Sequence, residues 1–432
     1  MLRGASRHHE PYLRGISSPR LLVTGKQASK AGMTGKLILV LNSGSSSLKF
    51  AIIDPEQDAP LLIGIAERLG SANADFRMRW RNEEDKRQPC PDADHARVID
   101  QLFQAMHEHG VDATDLTGVG HRVVHGGETF RDSATIDEQV IAKIEQCAKL
   151  APLHNPVNLL GIKAIARKYP DLSQVAVFDT SFHQTLPDYA YTYALPYELY
   201  RAHGVRRYGF HGSSHRFVAG RAADLLGKPL KDCNFISVHL GNGCSATAIK
   251  GGVSVDTSMG LTPLEGLVMG SRCGDLDPGL ILHLTQTLNY TPDQLSHMLN
   301  KESGLLGVSE VSNDMRELLR LSEEGHHQAA LAIEIFCYRL AKMIAGYYLA
   351  TAPLDAVIFT GGIGENAAPI RARACAWLKP LGVYMDEEAN RRHGEENQRR
   401  ISKDDSLNIM VVPTNEELLI ARDTLALIRR RK

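Results

Sequence analysis

At 432 residues, 43% of them hydrophobic, the chain is long enough for two or three ordinary domains, each with a core. Its 49 basic and 50 acidic residues nearly cancel, which excludes recognition of a polyanion by overall charge. The most apolar stretch, 329–350, is broken by Glu334, Arg339 and Lys342, which excludes a membrane span there. Neither nucleic acid nor membrane is an expected partner. Seven cysteines without a Cys-x-x-Cys pair and eighteen histidines without a His-Glu-x-x-His pattern give no zinc spacing and point to a reducing cytoplasm.

Residues 1–35 carry Arg3, Arg7, Arg14, Arg20, Lys26 and Lys30 against Glu10 alone. An organelle transit peptide looks like this, and so does a start placed upstream of a true Met33. The second reading is preferred, with a polar lead from Thr34, and disorder is expected before it. Leu37 to Ile53 then reads as strand, tight polar turn, strand. Gly44 allows the turn, and Ser45, Ser46 and Ser47 with Lys49 offer hydroxyls, N–H groups and a charge suited to phosphate oxygens. The plain alternative is a Ser/Gly hairpin with no ligand.

Residues 70–97 read as polar strand-and-loop decoration, and 98–110 has helical spacing. A buried strand then runs through Arg122 to Gly126-Gly127. Helices are expected over 137–150 and 157–169, followed by a strand, 174–179, ending on Asp179. The second half restarts the plan: residues 235–249 are strand, Gly/Ser/Asn turn, strand, and residues 356–366 are strand, glycine turn, helix. This repetition predicts duplicated α/β domains facing each other across a cleft. A strand over 409–413 precedes a helix over 418–430, with Thr414 as N-cap and Glu417 as its reciprocal partner.

Neither a Gly-x-x-x-x-Gly-Lys-Ser/Thr loop nor Asp-Phe-Gly is present. The turns Gly241–Gly243 and Gly362–Gly364 can still bring backbone N–H groups onto phosphates. Arg122 and Arg272 lie in glycine-flanked settings, and a guanidinium fork matches a carboxylate or phosphoryl group. Taken singly, each arginine is more often a structural ion-pair partner. Asn42, Asp179 and Glu416 form an oxygen set that can hold magnesium. Alone, Asp314 and Arg316 would be a helix cap and a surface charge.

These motifs occur together and in order: Asn-x-Gly-Ser-Ser-Ser-Leu-Lys-Phe, Gly-His-Arg-Val-Val-His-Gly-Gly, Phe-Asp-Thr-x-Phe-His-Gln-Thr, Arg-Arg-Tyr-Gly-x-His-Gly-x-Ser-His, Asp-Thr-Ser-Met-Gly-Leu-Thr-Pro-Leu-Glu-Gly-Leu, Phe-Thr-Gly-Gly-Ile-Gly-Glu-Asn and Pro-Thr-Asn-Glu-Glu. From about Lys36 to the last helix the chain resembles the acetate kinase family, within the acetate/sugar kinase, heat-shock and actin superfamily. The resemblance implies two duplicated actin-like (ribonuclease H-like) α/β domains around a central cleft. The expected division is an extension, 1–35, a first domain, 36–183, and a nucleotide-binding domain, 184–416, with helix 417–432 packing back on the first. It implies ATP/ADP and acetate/acetyl phosphate as substrates, Mg²⁺ as cofactor with Mn²⁺ as a substitute, and a homodimer.

Asn42 and Glu416 match the family's metal positions. Lys49, with Ser45 and Ser47 beside it, matches nucleotide positions. So do His239, Leu240, Gly241, Asn242 and Gly243, then Asp314, Met315 and Arg316, then Gly362, Ile363, Gly364, Glu365 and Asn366. Arg122 matches the substrate arginine, and Asp179 the catalytic acid, whether it moves a proton or orients metal, water or arginine. His211 and Arg272 match transition-state stabilisers, and Val124, Leu153, Phe210 and Pro263 the walls around the acyl methyl. Ser43, Ser213, Ser271 and Cys273 depart from the usual residues. Cys273 beside Arg272 predicts sensitivity to thiol oxidation. A propionate kinase of the same family is the runner-up; a sugar kinase or an actin-like ATPase ranks lower.

Overall fold

The computed structural model describes residues 36–57 and 59–431. The expectations for 1–35 lie outside the described residues. Eight strands form the first sheet: β1 (Leu37–Gly44), β2 (Ser47–Ile53), β3 (Leu62–Glu67), β4 (Asp75–Trp80), β5 (Lys86–Pro89), β6 (Leu116–Val123), β7 (Ala134–Thr135) and β8 (Gln174–Phe178). Their order is β5-β4-β3-β2-β1-β6-β8-β7. Five more form the second sheet: β9 (Asn234–Leu240), β10 (Cys244–Lys250), β11 (Val253–Thr257), β12 (Ala356–Thr360) and β13 (Asn408–Val411), in the order β11-β10-β9-β12-β13.

The two sheets share one plan. In the first, β3-β2-β1 are antiparallel, and β6 and β8 add in parallel. In the second, β11-β10-β9 are antiparallel, and β12 and β13 add in parallel. The expected duplicated actin-like architecture is therefore present. Its central strands read as unbroken apolar runs because helices cover both faces: all five residues of β8 and all five of β12 are buried.

The last helix, Glu416–Arg431, belongs to the first sheet. Its Leu418, Ile420, Ala421, Leu425 and Ile428 pack on Ile38, Val40, Ala51, Ile53, Val175 and Val177. The helix lies so close to β6 that a Cβ at Gly118 would fall 2.4 Å from Ile428 Cδ1, and one at Gly120 would fall 2.5 Å from Thr424 Oγ1. Ile420 is 1% exposed, so truncating it to Ala would cost about 2–5 kcal/mol. The helix Gly212–Leu226 joins the two halves. Val218, Ala219 and Ala222 pack under the second sheet with Phe235 and Ile358, while Arg216 pairs with Asp423 of the last helix.

Two local expectations need correction. The N-cap of the last helix is Asn415, whose Oδ1 accepts from Leu418 N at 2.9 Å. Thr414 cannot serve, because its hydroxyl accepts from Ser214 and its N–H donates to Glu365. The glycines after β12 are not a free turn: Gly361–Asn366 is already helical, entered through Gly361 at φ 77°.

Candidate active site

The β1–β2 hairpin places Asn42 directly opposite Lys49 in the ladder, so both side chains share one face. Ser45 and Ser46 are exposed at the tip, and Ser47 is half-buried. Arg122 stands near the carboxyl end of β6, next to the strand that ends before Asp179. Ligands in open α/β sheets gather at such ends. The Arg122 fork is bidentate on Asp179, with Nε donating to Oδ1 at 2.9 Å and Nη2 to Oδ2 at 2.6 Å. Nη1 donates to Asn42 Oδ1 at 3.3 Å, and Glu416 Oε2 lies 3.9 Å from Nε. Both Asp179 oxygens are thus taken by the Arg122 fork.

Charge in this corner is unbalanced toward the carboxylates. Burial disfavours a charged Arg122, but Asp179 and Glu416 outweigh it and hold its pKa above the ordinary value. Burial pushes Glu416 up to about 7; Arg122 and Lys49 oppose this, while Asp179 and Glu417 add to it. Burial lowers Lys49, with Glu417 the chief group resisting. A carboxylate so reluctant to ionise, beside an amide oxygen and a second carboxylate, fits a hard divalent cation. Among the described residues no group of three or more His, Cys, Asp or Glu forms a cage.

The opposite wall begins at His211, a non-glycine residue held at φ 55° where it leads into the helix Gly212–Leu226. Such backbone strain gathers at functional sites. Gly212 N donates to the Asp179 carbonyl at 2.9 Å, and a Cβ there would fall 2.3 Å from that oxygen, so only glycine lets the two walls meet. Gly243 marks where the parts converge. A Cβ on it would lie 2.6 Å from Arg272 Nη2 and 3.5 Å from His211 Nε2. The His211 and His239 rings lie 4.4 Å apart. Arg272 donates from Nη1 to the Pro263 carbonyl at 2.5 Å, and no carboxylate pairs with it among the described residues. Burial lowers its pKa, and Arg122 lowers it further. Half-buried and without a counter-ion, Arg272 is set to receive an anion. Burial raises the Cys273 thiol pKa, which lowers the share of reactive thiolate.

Three of the segments expected around a nucleotide, 239–243, 314–316 and 362–366, lie near the carboxyl end of β9. Gly270 N donates to the Asn242 carbonyl at 2.9 Å, and Asn313 donates to Asn242 Oδ1 at 3.3 Å. Asp314 caps the helix Met315–Glu323 and is held by Arg316, while Met315 is buried. Gly361 presses on Leu240, bringing Gly362 and Ile363 to the same strand end, and Gly364 lies against the Leu240 side chain. Asn366 donates back to the Gly362 carbonyl. Glu365 is a latch, its Oε1 accepting from Thr360, Gly361 N and Thr414 N.

Val124 and Phe210 are buried in one cluster, and Asn158 accepts from Val124 N at 3.0 Å. His183 donates to the Phe210 carbonyl at 3.0 Å, bracing the residue before His211. Leu153, by contrast, is 64% exposed. The residue that sequence reasoning passed over is its neighbour His154. Burial lowers its pKa, with Arg272 and then Arg122 adding, which puts it within reach of both arginines. Its place beside Leu153 was the available signal.

Residues 37–422 match the model of the family described as the acetokinase family. An acetate kinase of Shewanella sp. (strain W3-18-1) is 51% identical over 404 residues, covering 92% of this chain and 100% of that one. A propionate kinase structure from Francisella tularensis superposes with TM-score 0.86 at 44% identity, over 90% of this chain and 99% of that one. The Porphyromonas gingivalis acetate kinase structure gives TM-score 0.85 at 40% identity, over 91% and 100%.

Proposed function

The chain belongs to the acetokinase family, and from that premise we propose how its cleft performs the phosphotransfer of acetate kinases. The reaction is reversible transfer of the γ-phosphoryl group of ATP to acetate, giving acetyl phosphate and ADP. The observation that carries the assignment of roles is the pair of guanidinium groups across the cleft, one neutralised by Asp179 and one with no carboxylate partner among the described residues.

Acetate is already ionised at neutral pH, so no strong base is needed to make the nucleophile. The obstacle is an anion approaching a polyanion. Arg122, oriented by Asp179, draws the acetate carboxylate in, and the faces of Val124, Phe210 and Pro263 take its methyl. Leu153 closes that wall only from its exposed position. Arg272 and neutral His211, donating from Nε2, meet charge on the phosphoryl oxygens in flight. Catalysis is then mostly positioning and charge stabilisation. Asn42 and Glu416 would hold Mg²⁺, which when bound screens the nucleotide phosphates; Mn²⁺ has similar ligand preferences. Ser45, Ser47 and Lys49 from the hairpin, the 239–243 turn, Asp314–Arg316 and the 362–366 segment form the nucleotide side.

We take 36–183 and 184–416 as the two domains. The enzyme acts in the cytoplasm, a reading supported by seven unpaired cysteines. Among the described residues no helix is long and apolar enough to cross a membrane. A homodimer is supported by the helix Pro278–Gln286, which has no buried residue and carries Leu280 and Leu282, 38% and 58% exposed.

The test is acetyl hydroxamate formation with acetate, propionate and butyrate at saturating Mg-ATP. Acetate should be preferred and propionate should react measurably, since one methylene is worth about 1–3 kcal/mol. Val124→Ala should raise the propionate-to-acetate ratio; an unchanged ratio would remove Val124 from the pocket. ATP turnover without acid would sink the whole assignment.

A further inference from the structure

Behind His211 lies a buried row of alternating imidazoles and hydroxyls that the reaction does not touch. His211 Nδ1 is 2.9 Å from Ser245 Oγ, Ser245 Oγ is 2.8 Å from His215 Nε2, and His215 Nδ1 is 3.0 Å from Ser237 Oγ. Ser245, His215 and Ser237 are each 0% exposed. No other hydrogen-bond partner for either hydroxyl is found among the described residues. Both imidazoles stay neutral, since burial and neighbouring cationic groups lower their pKa values well below the ordinary one.

Counting protons settles the direction. Four neutral groups in the row hold four N–H or O–H protons, and a buried donor without an acceptor is costlier than an unused lone pair. If His211 donated from Nδ1 to Ser245, then Ser245 would donate to His215 and His215 to Ser237. The Ser237 proton would then be buried with nowhere to go. If both imidazoles donated to Ser245, Ser237 could still donate to His215 Nδ1, but the Ser245 proton would be stranded. Only one arrangement places every buried proton: Ser237 O–H to His215 Nδ1, His215 Nε2–H to Ser245 Oγ, and Ser245 O–H to His211 Nδ1. The His211 proton then sits on Nε2, the nitrogen facing the space beside Arg272 Nη2 at Gly243.

We propose that Ser237, His215 and Ser245 are positioning residues that lock His211 in the Nε2–H tautomer, so that a neutral histidine presents a donor to the transferring phosphoryl group. This rests on the assignment of His211 to the reaction. A neutral donor can take either tautomer at little cost in water, and the row removes that choice before substrate arrives.

The experiment uses the full chain labelled with ¹⁵N-histidine, with His211 assigned from the spectrum of His211→Gln. Two-bond ¹⁵N–¹H correlations should show a bare Nδ1 and a protonated Nε2 on His211; a protonated Nδ1 in the wild type overturns the proposal without any variant. Ser245→Ala should mix the tautomers and lower kcat by ~10–100-fold, the scale of losing an orienting partner, with KM values for acetate and ATP little changed. Ser245→Thr, which keeps the hydroxyl, should restore the tautomer and most of kcat. Ser237→Ala touches neither His211 nor substrate, yet should shift the His211 tautomer ratio; an unaltered ratio there refutes the linkage. Full turnover in His211→Gln, with the Nε2–H tautomer still seen in the wild type, would instead remove the premise that His211 takes part.

Discussion

Asp179→Asn is the sharpest perturbation of the cleft because it keeps the shape and changes only charge and one donor. Asp179 is 1% exposed and meets both teeth of the Arg122 fork, at 2.6 and 2.9 Å. An amide in its place can accept from only one tooth; its NH₂ faces an N–H on the other, and the guanidinium loses its nearest negative charge. Breaking one side of a buried pair costs about 3–5 kcal/mol. Glu416 at 3.9 Å and Asn42 at 3.3 Å still touch Arg122, which favours the lower end. With about 1.4 kcal/mol per factor of ten, a loss near 3 kcal/mol lowers kcat/KM for acetate by roughly 100-fold. The hydroxamate assay run against acetate, then against ATP, should place the loss on acetate and kcat and leave the KM for ATP near its original value. Near-full turnover, in a variant whose circular dichroism matches the wild type, would refute the idea that Asp179 works through Arg122.

Glu416→Gln should abolish the rise in melting temperature that Mg²⁺ gives the wild type; an equal Mg²⁺ shift in both proteins would take Glu416 out of the metal site. Burial lowers His183 to about 4, whereas an unfolded histidine sits near 6.5. Below pH 6.5 the unfolded chain takes up a proton that the folded one refuses, so stability falls as pH drops from about 6.5 to 4. At pH 5 this amounts to about 2 kcal/mol for that residue. Urea midpoints from pH 7 to 5 should therefore decline, and less so in His183→Gln; parallel declines would be evidence against the assignment. The proposed homodimer predicts a dimeric wild type in sedimentation velocity and a monomeric Leu282→Lys variant, from the helix Pro278–Gln286; a monomeric wild type would refute the dimer, and an unchanged dimer in the variant would move the interface elsewhere.

Most of the strand and helix order was legible because it rests on local pattern. The hairpin around Gly44 and the two strand-turn-strand restarts follow from short apolar runs and glycine punctuation, so the duplicated plan could be read before any coordinates. The end of the chain shows where that reading stops. Thr414 and Glu417 satisfy a capping-box pattern, yet Thr414 is taken by Ser214 and Glu365, and Asn415 caps the helix instead. Local chemistry allowed either cap, and partners far along the chain chose between them. Leu153 and His154 follow the same logic: the apolar residue stays exposed while the histidine beside it feels both arginines.

By itself the sequence determined the two-sheet plan, the family and the residue types offered to phosphate, carboxylate and metal, because each depends on short-range spacing. Only the tertiary structure decided what those groups are held against. It closed the Arg122 fork on Asp179, gave Arg272 no carboxylate partner among the described residues, and buried a row of serines and histidines behind His211. Those outcomes depend on burial and on partners tens to hundreds of residues apart, and the free energy of a charge or a proton in this cleft is set by its surroundings rather than by its neighbours in the chain.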